Sequence, residues 1–110
     1  MAHFMLRWQF TTEAVKALVN NPQDRTAPAT ALIEGFGGKL LSYHFALGEY
    51  DGFGVCEFPD TVAIVACSMK AASTGAFAKF ESTPLLTAAE GQDAMRRAKE
   101  ANVNYRAPNA

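Results

Sequence analysis

The sequence predicts an α+β domain in the order β-α-β-β-α-β, followed by one C-terminal helix. Three observations predict it. Residues 3–10 alternate apolar and polar with the period of two that a strand requires. Two strand-like runs, about 39–47 and 52–58, flank the tight link Gly48-Glu49-Tyr50-Asp51, which marks a hairpin. Helix-type segments stand between strands one and two and again between strands three and four. This is the split β-α-β pattern of ferredoxin-like folds. Its helices cover one sheet face and leave the other open.

Strand one places Phe4, Leu6, Trp8 and Phe10 in one row, and His3, Met5, Arg7 and Gln9 in the other. Thr11-Thr12-Glu13 then offers a helix N-cap followed by an early acid. Val15, Leu18 and Val19 give a short helical stripe, which Asn20-Asn21-Pro22 interrupts. Pro22 suits the first position of a fresh helix. Pro28, placed inside that helix, loses a hydrogen bond and crowds the preceding turn. The first helical region is therefore expected to be broken or kinked, ending in Leu32, Ile33 and Phe36. Gly37-Gly38 supplies its left-handed stop.

Glu49-Tyr50 is not a pair that favours a two-residue hairpin turn, which points to a longer loop. Pro59 closes strand three, and Asp60 can cap the next helix, about 61–73. That helix carries a single charge, Lys70. A helix facing water normally shows a polar stripe. Either it packs tightly on its sheet with alanines tolerated outside, or another subunit or the tail covers its second side. Strand four is expected at about 77–83, with Thr83-Pro84-Leu85-Leu86 leaving it. Thr87-Ala88-Ala89-Glu90 matches a capping box and opens a last helix, about 88–101. The tail after Val103 is polar and reads as irregular.

At 110 residues the chain makes a single domain, residues 1–110, and 49% hydrophobic residues suffice for one ordinary core. Charged residues are 19%, which points to surface kept for self-association. A net charge of −1 gives no basic footprint for nucleic acid or anionic lipid. No apolar run approaches the ~20 residues of a membrane span. The amino-terminal residues lack the pattern of a secretory leader. Cys56 and Cys67 do not make a disulfide framework, so the expected location is the reducing cytoplasm.

Several segments carry a family resemblance. They are Gly37-Gly38-Lys39-Leu40 before strand two, Leu47-Gly48-Glu49-Tyr50-Asp51 at the hairpin, Glu57-Phe58-Pro59-Asp60 after strand three, and Thr83-Pro84-Leu85-Leu86-Thr87 with Glu90. Together they resemble the GYD-domain family over most of residues 4–100. The resemblance implies a dimeric α/β barrel, in which two ferredoxin-like sheets pack face to face. That superfamily includes small cofactor-independent monooxygenases, isomerases, dehydratases, haem-processing proteins and ligand-sensing domains of transcription regulators. Fold analogy of this kind gives a range of functions and no choice among them. The hairpin motif also has a structural explanation. Gly48 permits a turn, Asp51 can accept local backbone hydrogen bonds, and Tyr50 can pack its ring with its hydroxyl in water.

If Gly48 faces Asp51, the strand register follows. His44 then faces Val55, Ser42 faces Glu57 and Ala46 faces Phe53, all on one sheet face. Leu41, Tyr43, Phe45 and Leu47 share the other face with Gly52, Gly54, Cys56 and Phe58. The glycines leave room for aromatic rings or a ligand close to the backbone. His44 is the candidate acid/base group, because imidazole titrates at about 6.5. Glu57 would orient it, and Arg7 would hold an anionic substrate group. Trp8, Tyr43, Phe45 and Phe53 would supply the apolar walls that ligand pockets generally show. Against this stands the ordinary reading of a lone strand histidine as a surface or satisfied residue. Cys56 and Cys67 read as small core residues. No Cys or His spacing forms a metal site, and no cofactor is expected.

Two functions compete. One is a cofactor-independent enzyme acting on a small apolar or aromatic substrate by acid/base chemistry. The other is a non-catalytic ligand-binding or assembly module, in which the open face is an oligomer interface. In both, the chain's first partner is itself, as a homodimer or higher homo-oligomer. A regulator reading is disfavoured, because no helix-turn-helix segment or basic patch is present. The state of His44 and Glu57 discriminates: a bonded pair beside an open cavity favours an enzyme or a binder.

Overall fold

In the computed structural model, which describes residues 1–109, the chain runs β1 (Ala2–Phe10), α1 (Thr12–Asn20), α2 (Thr26–Gly35), β2 (Lys39–Phe45), β3 (Gly52–Phe58), α3 (Thr61–Ala72), β4 (Phe77–Leu85) and α4 (Ala88–Glu100). The strands form one antiparallel sheet in the order β2-β3-β1-β4. This is a ferredoxin-like α+β fold. The apolar row of β1 faces α2 and α3, where Phe4, Leu6 and Trp8 meet Ile33, Cys56, Phe58, Ile64 and Cys67 in the core. Burying each large side chain of this kind contributes about 1.5–3 kcal/mol. The other face of the sheet carries no helix from the core and remains open.

Local chemistry explains the element boundaries. Thr11 caps α1, its hydroxyl accepting from Ala14 N. Asp60 caps α3 by accepting from Ala63 N at 2.8 Å. Thr87 and Glu90 form the reciprocal capping box that opens α4. Gly37 takes φ +79° just after α2. There Gly38 N donates to Ile33 O and Gly37 N to Glu34 O, both at 3.0 Å, which satisfies two of the last carbonyls of that helix.

Three boundaries and one strand register differ from the sequence expectation. The second helix starts at Thr26, and Pro22 lies before it. Asp24 sets that start by accepting from Thr26 N at 2.9 Å and Thr26 Oγ1 at 2.6 Å. Pro28 then stands in the first turn, where an amide has no partner within the helix, so nothing is lost and no kink is needed. β2 stops at Phe45 and leaves a loop closed by Ala46 N donating to Asp51 O at 2.7 Å. β4 runs on through Pro84 to Leu85, which an edge strand tolerates.

The fourth difference is register. His44 pairs with Phe53, Ser42 with Val55, Tyr43 with Gly54 and Phe45 with Gly52. The longer loop moves β2 by two residues relative to the expected pairing. An even shift preserves every face. Between Leu40 and Ser42 a bulge then intervenes, so Leu40 instead of Leu41 faces Cys56, and Leu41 turns outward, 43% exposed.

α4 is the outlier. Like α1 it carries no buried residue, and it does not join the core cluster; it ends at Glu100, after which residues 101–107 are irregular. The molecule measures 58 × 33 × 22 Å.

Candidate ligand cavity and the open sheet face

Between the sheet and the helices lies a cavity of about 530 Å³. Its floor is aromatic, and strand alternation puts it there. Phe10, Trp8, Tyr43, Phe77 and Phe80 all project from the helix-facing side of β1, β2 and β4. Trp8 stacks with Phe80 at 6.3 Å and meets Tyr43 at 5.4 Å between centroids. Phe77 stands edge-on to Phe80 at 5.2 Å and stacks with Phe10 at 5.5 Å. Small residues of α1 and α2, including Ala14, Ala17 and Ala29, form the roof and leave the space open. Polar side chains on the lining are Gln23, Arg25, Tyr43, Lys70 and Thr74. Burial raises the Tyr43 phenol above its ordinary value, so it is a protonated donor at neutral pH.

Gly52 is what lets the floor exist. A Cβ there would collide with Cζ2 and Cε2 of the Trp8 indole, and would stand 2.8 Å from its Nε1. The indole N–H is buried and has no acceptor among the described residues.

On the open face a second group gathers. Arg7 Nη2 donates to Glu81 at 2.8 Å, and the Tyr50 hydroxyl donates to the same carboxylate at 3.0 and 3.1 Å. The guanidinium carbon lies 4.4 Å from the Tyr50 ring centroid, a cation–π contact. The bond to Glu81, and burial after it, raise the Tyr50 phenol above its ordinary value. Tyr50 therefore directs its hydroxyl to Glu81.

The residues singled out in the sequence divide between the two sheet faces. Trp8 and Tyr43 line the cavity. Phe45 is on their side but at the strand end, 65% exposed and 6.5 Å from Phe10. Arg7, His44, Phe53 and Glu57 lie on the open face. His44 and Glu57 thus share a face, as the register predicted, but they do not pair. His44 stacks on Phe53 at 4.9 Å, while Glu57 faces Lys39 across β2 and takes His3 Nε2 at 3.1 Å. The two-residue shift of β2 carries His44 away from Glu57. Arg7 lies beside β3, opposite Phe53. Its charge already meets Glu81.

Sequence reasoning missed Arg25, Lys70, Gln23, Phe77 and Phe80 as cavity residues. Phe77 and Phe80 carried a signal, an aromatic pair in strand four. Arg25 and Lys70 carried none, because loop and helix-end cations are common on any surface. Asp51 was legible only in part. Its carboxylate accepts from Phe10 N at 2.9 Å, and its own N–H donates to Trp8 O at 2.7 Å. Its carboxylate and N–H tie the hairpin loop to the end of β1, while its carbonyl closes the loop by accepting from Ala46 N.

Cys56 and Cys67 are fully buried and unpaired. Burial pushes their thiols up to about 12 and about 11 respectively. Among the described residues no group of three or more His, Cys, Asp or Glu is placed to hold a metal ion. No helix there is long and apolar enough to cross a membrane.

The GYD domain family matches residues 4–95. The chain belongs to the GYD-domain family. The match runs from Phe4 in β1 through β4 and into α4, so the cavity and most of the open face lie within the GYD domain. No curated protein matches the chain.

Proposed function

We propose that this GYD-domain protein binds a small apolar molecule in the cavity between its sheet and its helices, and works in the cytoplasm as a homo-oligomer built on a dimer. The observation that carries the binding reading is the cavity itself. Its volume of about 530 Å³ falls in the range of small-molecule sites. An aromatic floor with few polar groups at its margin is the usual makeup of such sites. Its size comes from alanines in α1 and α2 where larger residues would fill the space.

Self-association rests on the open sheet face. One side of a four-stranded sheet is left without a layer, and domains normally bury a sheet between layers. Phe53 stands exposed at 40% on that side. A pair of such sheets, face to face, is the barrel that the family resemblance implies.

A second reading, acid/base catalysis by His44 and Glu57 with Arg7 as the substrate anchor, needs that barrel. All three side chains lie on the open face and would line its interior. The binding reading is preferred because His44 does not line the cavity and does not bond Glu57.

Native mass spectrometry of freshly purified protein tests both halves. The expected spectrum shows a dimer or a multiple of it, with a retained small molecule. Monomer alone, folded and with no retained mass, would sink the proposal.

A further inference from the structure

The cavity's polar lining is one-sided. The described residues around it include two cations, Arg25 and Lys70, and no carboxylate. The acids closest in sequence to Arg25 and the second helix, Asp24 and Glu34, line a separate shallow groove instead. Asp24 is also engaged, bonded to both the hydroxyl and the amide of Thr26, which hold its carboxyl below the ordinary range. Among the described residues, neither Arg25 nor Lys70 takes part in a salt bridge. Arg25 Nη1 donates to Gln23 Oε1 at 2.8 Å, which orients the guanidinium and leaves its other N–H groups available.

Two cations that form no salt bridge, on the margin of an apolar chamber whose lining holds no carboxylate, favour a ligand that brings negative charge. We propose that the cavity selects small apolar monocarboxylates. The apolar body lies over Trp8, Phe77 and Phe80, and the carboxylate meets Arg25, with Lys70 adding positive potential. A planar guanidinium matches a carboxylate in geometry as well as in charge. The Tyr43 hydroxyl, kept protonated by burial, is a further donor on the same lining. The inference rests on the cavity being a binding site and adds the charge of what it binds.

Trp8 is the only tryptophan and forms part of the floor, so its fluorescence reports directly on occupancy. Three probes share one apolar body and differ in head group: 4-phenylbutanoate, 4-phenylbutan-1-ol and 4-phenylbutan-1-amine. Titration of each into the wild-type protein should change Trp8 emission. The carboxylate should bind about tenfold more tightly than the alcohol, the size of one partly exposed charge-assisted contact. The amine should bind most weakly. The double variant Arg25→Gln, Lys70→Gln should remove the preference for the carboxylate and keep the affinity for the alcohol. Equal binding of acid and alcohol, or a preference that survives in the double variant, overturns the carboxylate inference and leaves the cavity as a binding site. If none of the three alters Trp8 emission, the binding reading fails and this inference with it.

Discussion

Gly52 and Trp8 are directly paired across β3 and β1, and the indole occupies the space that any side chain at position 52 would need. The glycine after the hairpin motif is thus a packing requirement of the cavity floor. Gly52→Ala should cost about 1–3 kcal/mol, the usual penalty of overpacking a tight site. The displaced indole should also shift in emission. Chemical denaturation followed by Trp8 fluorescence checks both. An unchanged midpoint and spectrum would mean that the ring has other room.

Asp51 holds the hairpin loop to the end of β1 through Phe10 N; the residue is 5% exposed and forms no ion pair among the described residues. Asp51→Ala leaves that N–H without an acceptor and should cost about 1–3 kcal/mol. Asp51→Asn keeps an acceptor oxygen and should lose less. Equilibrium unfolding of the two variants against wild type gives the order. Equal stability in all three, with ligand binding lost, would move Asp51 from scaffold to site.

The two thiols make a pH prediction. Their folded values, about 12 for Cys56 and about 11 for Cys67, lie above the ordinary thiol value of 9.0. Below pH 9 both states hold these protons, and the stability tied to them is fully present. As pH rises from about 9 towards the folded values, the unfolded chain releases its protons first and stability falls. The same burial should make native protein inert to a thiol-alkylating reagent at neutral pH, with both cysteines reacting after denaturation. Rapid labelling of native protein would contradict this.

Self-association should depend on the open face. Phe53→Glu places a charge where the second sheet would pack, and a charge without a partner resists burial. Light scattering should show the variant dissociated at low micromolar concentration. A second variant, Val65→Glu, addresses the outer side of α3, where Val62, Val65 and Met69 are exposed. If Val65→Glu dissociates the protein and Phe53→Glu does not, α3 is the interface in place of the sheet.

Much of this protein was legible from its residues because the deciding interactions are local. Alternation in residues 3–10 determined which row of β1 faces the helices, and the Thr11, Asp60 and Thr87 caps are bonds within one turn. Gly37 stops α2 by its own backbone freedom. Even the face of His44 followed, since a two-residue shift cannot turn a side chain over. What the hairpin loop and the Leu41 bulge did to the pairing was beyond reach. The sequence pointed to a longer loop, but its length in residues and the bulge depend on contacts with β1, such as Asp51 with Phe10, from a part of the chain distant in sequence. The same is true of the cavity. Arg25 and Lys70 come from a loop and a helix end far apart in sequence, and only the packing of α1, α2 and α3 on the sheet puts them on one lining. Likewise His44 met Phe53, and Glu57 met His3, because β3 lies between β1 and β2 and its side chains choose among neighbours on both sides.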